Sequence, residues 1–558
     1  MTQIHNLTDS LIIGVATVSD AAGNISRELI TLAESEGGKD YPMREIGSAV
    51  ACVGAPGSGK TDLIVSQLQN WGTSAAVVDL KGGVYSRTAA YRASLAGGRG
   101  QVVVLDPRDG TGHRFNPVQA IRYKARRDMA LQITGRGGDT DGEKGYWARQ
   151  SALAWLAAWE FADQAGRAHI PYAVEMMQLG MIGLLRYALR HHSNHKKGMA
   201  YLRSFVGAEI TPDLIQRLEE IGVSKLLESK WSSVEDSYAP YTDPNILNVF
   251  NGHDLDVSAM FHRPITVYIQ ADESDPEGFG AFLRPTMKAL GDALINAGDK
   301  LSFDQRAPVL FLFDEFGAVR VNNARQWINT MRSRGVVLCL FAQSLAQLPS
   351  EDGRDFNWKR ENSIHHWILF SPVYGANDTG AMISDLSGTT TVAVLSNSNV
   401  SFNVDNPAHL NTSQGVAYRE RRNLEAEDID ALRLNVAYVS VRPNGSARRS
   451  LAYTEIASPR IMQFPGSAYP ETGPAAPLSP YQSPLLEVAE VAPAPIWEAD
   501  GAERSRERQD DHETADLSIF EQAMMPVQDD RERLTLTPDE IRRQRELLDD
   551  LDGDEIGE

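Results

Sequence analysis

The sequence predicts an α/β fold: a mainly parallel, doubly wound sheet flanked by helices, interrupted by an inserted all-α domain and followed by a disordered tail. Three observations predict it. Short apolar runs alternate with helix-length amphipathic segments between residues 48 and 120 and resume after 265. Between about 121 and 250, β-branched runs give way to long helical patterns. Beyond about 463 the chain becomes rich in Pro, Ala, Ser and acidic residues, with too little apolar periodicity to offset the ordering entropy of a fold.

The elements follow in order. Residues 48–53 form an apolar run that leads straight into a Gly-rich loop, after which 62–71 places Leu63, Ile64 and Leu68 at helical spacing. Residues 75–80 and 101–106 read as two further strands separated by a helix-length segment. The insertion is marked by the helical pattern at 147–162 and by Thr211-Pro212, a cap with proline at the first helical position. Strands resume at 265–270, 309–313, 335–342 and 436–441, and the sheet is expected to close at the turn Pro443-Asn444-Gly445. In the tail, Leu536, Thr537, Pro538, Glu540 and Ile541 combine a cap, a first-turn proline and a hydrophobic staple, the pattern of a short terminal helix. The expected organisation is an N-terminal segment 1–45, a nucleotide-binding domain in two parts, 46–120 and 251–462, around an all-α insertion 121–250, and the tail 463–558.

Composition narrows the function classes. With 558 residues and 42% hydrophobic content, most of the chain is globular. A formal net charge of -20 argues against a compact nucleic-acid-binding domain with a wholly basic surface, yet leaves room for a ring or channel with a locally positive lining. The two cysteines, Cys52 and Cys339, sit in apolar strand-like runs and read as buried, reduced thiols. The start of the sequence shows no basic-then-apolar signal pattern, and no window approaches the roughly 18–20 apolar residues that span a bilayer, so a cytoplasmic location is expected.

The Gly-rich loop carries the chemistry. Gly54-Ala55-Pro56-Gly57-Ser58-Gly59-Lys60-Thr61 is a P-loop pattern between a strand and a helix. Its glycines let backbone N–H groups face phosphates, Lys60 neutralises the terminal two, and the Thr61 hydroxyl ligates Mg2+, so ATP is the expected ligand. Hydrolysis needs an acid on the metal and a base on the attacking water, and Asp314-Glu315 supplies both at the end of an apolar strand. Asp314 is expected to hold Mg2+ and Glu315 to orient or deprotonate water. The strand 335–342 ends in Gln343, placed at the carboxyl edge of the sheet to sense the γ-phosphate.

Beyond the loop, several ordered segments carry a resemblance. They are Val77-Val78-Asp79-Leu80-Lys81-Gly82 with Tyr85, Thr88, Tyr91 and Arg92; Asp106-Pro107 with Phe115-Asn116-Pro117; Gly145-Tyr146-Trp147; Phe313-Asp314-Glu315-Phe316; Gln343-Ser344-Leu345-Ala346-Gln347-Leu348; and Arg422-Asn423-Leu424 with Asp428, Ile429 and Leu432. Over about 47–453 the chain resembles the coupling-protein ATPases of type IV secretion and bacterial conjugation, the TraG/TraD group, relatives of the FtsK and HerA DNA motors. The resemblance implies a RecA-like domain in a hexameric ring that hydrolyses ATP between subunits. It also implies movement of single-stranded DNA with its attached relaxase, or of effector and accessory proteins, to a secretion channel. By position the family's arginine finger matches Arg332, with Arg334 as close competitor.

Two departures stand out. Family members carry an acidic residue after the Lys-Gly pair where this chain has Gly83, and they carry N-terminal membrane helices that this sequence does not show, so a separate membrane-anchoring partner is expected. Two basic stretches, 122–127 and 190–203, read either as a DNA-contacting surface or as solvated helix ends. The alternatives to a motor are a substrate-recruiting adaptor that uses nucleotide as an assembly switch, with the acidic tail as its docking arm, and a HerA-like DNA-processing motor.

Overall fold

The computed structural model describes residues 11–19, 25–31, 49–134, 142–272, 276–302, 305–317, 324–345, 366–370, 436–441, 450–460 and 462–481, with strand fragments and single residues between 364 and 422 and at 274. The described chain divides into two compact units, one from residues 1–121 and 252–479, the other from 122–251 and 480 onward.

The first unit is built on a sheet of twelve strands among the described residues. We number them β1 Ile12–Ser19, β2 Ile25–Thr31, β3 Ala49–Val53, β4 Ala75–Val78, β5 Gln101–Asp106, β6 Thr111–Gly112, β7 Ile265–Ile269, β8 Val309–Phe313, β9 Val336–Ala342, β10 His366–Phe370, β11 Val436–Val441 and β12 Ser450–Glu455. Their spatial order is β2-β1-β12-β11-β10-β3-β9-β8-β4-β7-β5-β6. From β10 through β5 every pairing is parallel. A parallel sheet is covered on both faces, so its strands are apolar on both sides, and β3, β4, β7, β8, β9 and β10 are buried along their whole length.

The order places β9 between β3 and β8. The loop after β3 and the turn after β8 are therefore separated by the end of β9, which leaves a gap at the carboxyl edge of the sheet where ligands of such folds sit. Two features escape the sequence reading. Strand β10 lies beside β3, and the sheet does not close at β11: β12, β1 and β2 extend it by antiparallel pairing. Polar residues or glycine interrupt β1, β2 and β12, so these strands lack the uninterrupted apolar runs that reveal the core strands.

Helix α1, Lys60–Asn70, starts directly after Gly59 and buries Leu63, Ile64 and Leu68; helix α2, Gly83–Gly98, packs beside it. Arg92 of α2 is completely buried. Its guanidinium donates to Thr266 Oγ1 at 2.7 Å and to the carbonyls of Trp71 and Thr73, tying the end of α1 and the following turn to β7. Burial pulls its pKa down to about 10, so it stays charged at neutral pH. Arg92→Leu removes every one of these donors and leaves the carbonyls buried. We expect a loss of about 3–5 kcal/mol in the denaturant unfolding free energy of the purified protein, and a loss below about 1 kcal/mol would contradict this account.

The tail expected from 463 does not begin there. Residues 463–479 pack on the first unit: Ser467 Oγ donates to Gln69 Oε1 (2.9 Å), Thr472 N to Ser86 O (2.7 Å) and Leu478 N to Gly110 O (2.8 Å), while Gly112 N donates to Ala476 O (2.7 Å). Gly466 has no room for a side chain, since a Cβ there would lie 2.6 Å from Gln69 Cγ. This strap is held by backbone hydrogen bonds and a close Gly approach, features without apolar periodicity. The tail from 482 on, with its helix pattern at 536–541, lies outside the described residues, as do 346–348 and 423–432.

The second unit is helical. Its longest helix, α3 Gly142–Ala165, is joined by α4 His169–Gln178, α5 Gly180–His192, α6 Lys196–Val206, α7 Pro212–Glu220 and α8 Lys225–Tyr238. Thr211 caps α7 by accepting from Leu214 N at 3.2 Å. Trp155, Trp159, Phe161, Tyr172, Phe205 and Phe250 are fully buried and form its core.

Candidate active site

The Gly-rich loop leaves β3 at Gly54, whose N–H donates to Ala342 O of β9 at 3.1 Å. A Cβ at Gly54 would stand 2.5 Å from Phe370 Cβ of β10 and 2.8 Å from Ser58 Oγ, so glycine is required there by the approach of the neighbouring strand. Gly57 and Gly59 adopt φ of 78° and 103°, in the left-handed region. Gly59 caps α1 without a side chain, and the first-turn amides of α1 point out of the helix with no intrahelical acceptor.

Lys60 folds over the loop, its Nζ donating to Gly54 O (2.5 Å) and Ala55 O (2.8 Å). Burial lowers its pKa, against the nearby acidic groups Glu315 and Asp314, which favour the ammonium. Thr61 Oγ1 donates to Asp314 Oδ1 at 3.2 Å. Burial raises the pKa of Asp314, with Glu315 adding to it, while the Thr61 hydroxyl and the Lys60 and Lys81 cations oppose the rise. Phe316 N donates to Phe341 O (2.7 Å) and so holds the turn after β8 against β9. That brings Glu315 to Gln343, whose Nε2 donates to Glu315 Oε2 at 2.8 Å.

Sequence-predicted residues from three strands thus meet at one edge: Gly54 to Thr61, Asp314, Glu315 and Gln343. Two buried polar atoms among them, Ser58 Oγ and Glu315 Oε1, have no hydrogen-bond partner. Such orphans mark places where water or ligand is to be bound. A loop with two left-handed glycines, an ammonium and outward amides fits a polyphosphate, and a hydroxyl beside a carboxylate fits a hard cation such as Mg2+.

Arg332 is not brought to this edge. It lies in the 3-10 turn Arg332–Arg334 that precedes β9, at the opposite end of the strand from Ala342. A seven-residue strand spans about 20 Å, beyond the reach of an arginine side chain. Its competitor Arg334 is in the same turn, with Nε donating to Asp299 Oδ1 at 2.9 Å.

Residues 14–439 match the family described as type IV secretory system conjugative DNA transfer. The chain belongs to this family. Among curated members of known name, two conjugal transfer proteins TraG of Escherichia coli are each 24% identical, over 392 and 391 residues. Each match covers 64% of this chain and 58% of the relative, so the chain spans less than three fifths of the length of these conjugative transfer proteins. Among solved structures, the bacterial conjugative coupling protein TrwBdeltaN70 aligns with a TM-score of 0.53 at 16% identity, covering 76% of this chain and 87% of that one. Plasmid coupling protein TrwB in complex with ADP and Mg2+ aligns with a TM-score of 0.52, also at 16% identity, over 83% and 96%. The fold is therefore that of the coupling proteins: a mostly parallel sheet with helices and a helical insertion. Among the described residues no helix is long and apolar enough to cross a membrane.

Asp79 is the residue at this edge to which sequence reasoning gave no role. It follows β4, is completely buried, and accepts from Tyr85 N at 2.6 Å through Oδ2. Burial raises its pKa to about 6, against the backbone donor of Tyr85 and with the negative charge of Asp314 adding to the rise. Its signal, an acid closing an apolar run, is the same one that marks Asp314.

In the helical unit the two basic stretches meet at Tyr123: Lys197 Nζ lies 4.2 Å and the Arg126 guanidinium 4.9 Å from its ring centre. Arg122, Lys124 and Lys196 are exposed. His192 and His195 are structural. His192 stacks on Phe161 and bonds to Tyr172 Oη and Gln164 Oε1, each at 2.8 Å, and His195 caps α6 by accepting from Gly198 N at 3.1 Å. No metal-binding group of three His, Cys, Asp or Glu occurs among the described residues, and both cysteines are buried free thiols.

Proposed function

We propose that the chain is an ATPase, a coupling protein that binds ATP with Mg2+ at the loop 54–61 and hydrolyses it to bring DNA, as a relaxase-bound single strand, or protein substrates to a type IV secretion channel. The observation that carries this reading is the pair of contacts facing the loop, Thr61 to Asp314 at 3.2 Å and Glu315 to Gln343 at 2.8 Å. In the first, Thr61 and Asp314 are the hydroxyl and carboxylate that would hold Mg2+ beside the bound nucleotide. The second gives Glu315 a fixed orientation with one oxygen left to accept a proton from water. Gln343, bonded to that base and at the end of the intervening strand, is placed to report the γ-phosphate. When bound there, the ion would neutralise charge on the phosphates.

Arg332 takes part from a neighbouring subunit. Its place at the far end of β9 rules out action on its own loop, so a finger role requires a ring in which one subunit's amino edge faces the next subunit's carboxyl edge. We take that ring to be a hexamer working on single-stranded DNA in the cytoplasm, a reading in keeping with the family's description as conjugative DNA transfer. The exposed cations around Tyr123 are the surface of the helical unit suited to a phosphate backbone.

The test is the ATPase rate and oligomer size of the purified protein with and without single-stranded DNA. Stimulated turnover and a shift to a ring-sized species are expected, both weakening as salt rises. Turnover and size indifferent to DNA at every salt concentration would sink the DNA-motor reading.

A further inference from the structure

Asp79 and Asp314 are neighbours by register: Val78 of β4 pairs with Phe313 of β8, and Asp314 N donates to Val78 O at 3.1 Å. Both carboxylates therefore leave the carboxyl ends of adjacent parallel strands, whose backbones run roughly 4.8 Å apart. On the other side Val78 pairs with Ile269, which puts Gln270 next in the row. The Asp79 side chain is held in place, with Oδ2 accepting from Tyr85 N at 2.6 Å in the first turn of α2. Its second oxygen, Oδ1, is buried and has no partner. So is Gln270 Nε2, the neighbouring amide donor, while Gln270 Oε1 accepts from Arg108 at 2.6 Å.

The backbone N–H groups of Val84 and Gly82 also favour the charged carboxylate, yet Oδ1 makes no hydrogen bond within the chain, and a buried carboxylate oxygen left so is costly enough to favour accepting from a bound group. Asp314, not Asp79, is the carboxylate bonded to the Thr61 hydroxyl, and one oxygen of Asp79 is already taken by Tyr85 N, so direct ligation falls to Asp314. Mg2+ at a nucleotide site keeps several waters, and each water bound to it presents hydrogens outward to an acceptor. The orphaned Oδ1 is such an acceptor, one strand away from the carboxylate that would hold the ion.

We propose that Asp79 is a positioning residue for the nucleotide-bound Mg2+, accepting through Oδ1 from the metal's water shell while Tyr85 N fixes its other oxygen. This role rests on the nucleotide-site reading given above. It makes the carboxylate an outer-shell partner of the ion, and loss of such partners typically lowers metal affinity about 10–100-fold.

The test separates this role from that of a plain helix cap. Asp79→Asn keeps an oxygen that accepts from Tyr85 N and removes the charge; Asp79→Ala removes both. Binding of a fluorescent ADP analogue to the full chain is titrated with Mg2+ and repeated in a chelator. For Asp79→Asn we expect a wild-type melting temperature, wild-type nucleotide affinity in the chelator, and a Mg2+ midpoint raised about tenfold or more. A Mg2+ midpoint equal to that of the wild type overturns the proposal. So does an affinity lost equally with and without Mg2+, or a chain that melts as low as Asp79→Ala, each of which makes Asp79 a cap alone. Wild-type protein whose ADP affinity ignores Mg2+ would overturn the nucleotide-site reading itself.

Discussion

Lys60→Ala is expected to lower ATP turnover at least about a hundredfold, the range seen when a preorganised electrostatic donor is removed from a reacting centre. In the ligand-free structure the ammonium bonds to Gly54 O and Ala55 O of its own loop. Those carbonyls hold the cation over the space that phosphates would fill, so the side chain needs only to exchange backbone oxygens for phosphate oxygens. Truncation leaves the loop backbone with its glycine conformations, and Gly54 N still anchored to Ala342 O at 3.1 Å. The fold should therefore survive, with circular dichroism unchanged, while nucleotide affinity and turnover fall together. A rate within about threefold of wild type would remove Lys60 from the chemistry. The same substitution in cells should abolish substrate transfer.

The second large effect is expected at Glu315. Glu315→Gln keeps the size of the side chain and an oxygen that accepts from Gln343 Nε2, the 2.8 Å contact that orients the native carboxylate. What it loses is the ability to take a proton from water at Oε1, the buried atom with no partner. General-base catalysis contributes about 10²–10⁴ in rate, so turnover should fall by that factor while ATP affinity, measured by equilibrium binding, stays near wild type. The contrast with Lys60→Ala is the useful part. One substitution removes binding and turnover together; the other traps bound nucleotide. If Glu315→Gln weakened binding as much as Lys60→Ala, the residue would be a structural support for the loop.

Much of this site was legible because it sits where single strands end. The loop 54–61, Asp314-Glu315 and Gln343 each follow an apolar run that is buried along its whole length, and a polar residue just past such a run lies at the sheet's edge by geometry. Asp79 obeys the same rule after β4 and yet had no assigned role, because motif reading gives an acid a function only when a second acid or a known pattern stands beside it. Its partner in that sense is Asp314, a neighbour across the sheet and far away in the chain. The strap at 463–479 was illegible for another reason: it is held by Thr472 N, Leu478 N and the bare Cα of Gly466, and none of these leaves an apolar period.

The sequence by itself determined the parallel strands of the core, the position of the Gly-rich loop, the helical insertion and the family, because these depend on local periodicity and on ordered motifs read along one chain. Only the tertiary structure decided which strand ends are neighbours. It put β9 between β3 and β8, so that Gln343 meets Glu315, and it set Asp79 against Asp314 while carrying Arg332 to the opposite edge. It also gathered Lys197 and Arg126, from two separate basic stretches, around Tyr123. Strand order and burial are settled by how faces pack and which backbone groups pair across long separations, and that information is carried by no single segment.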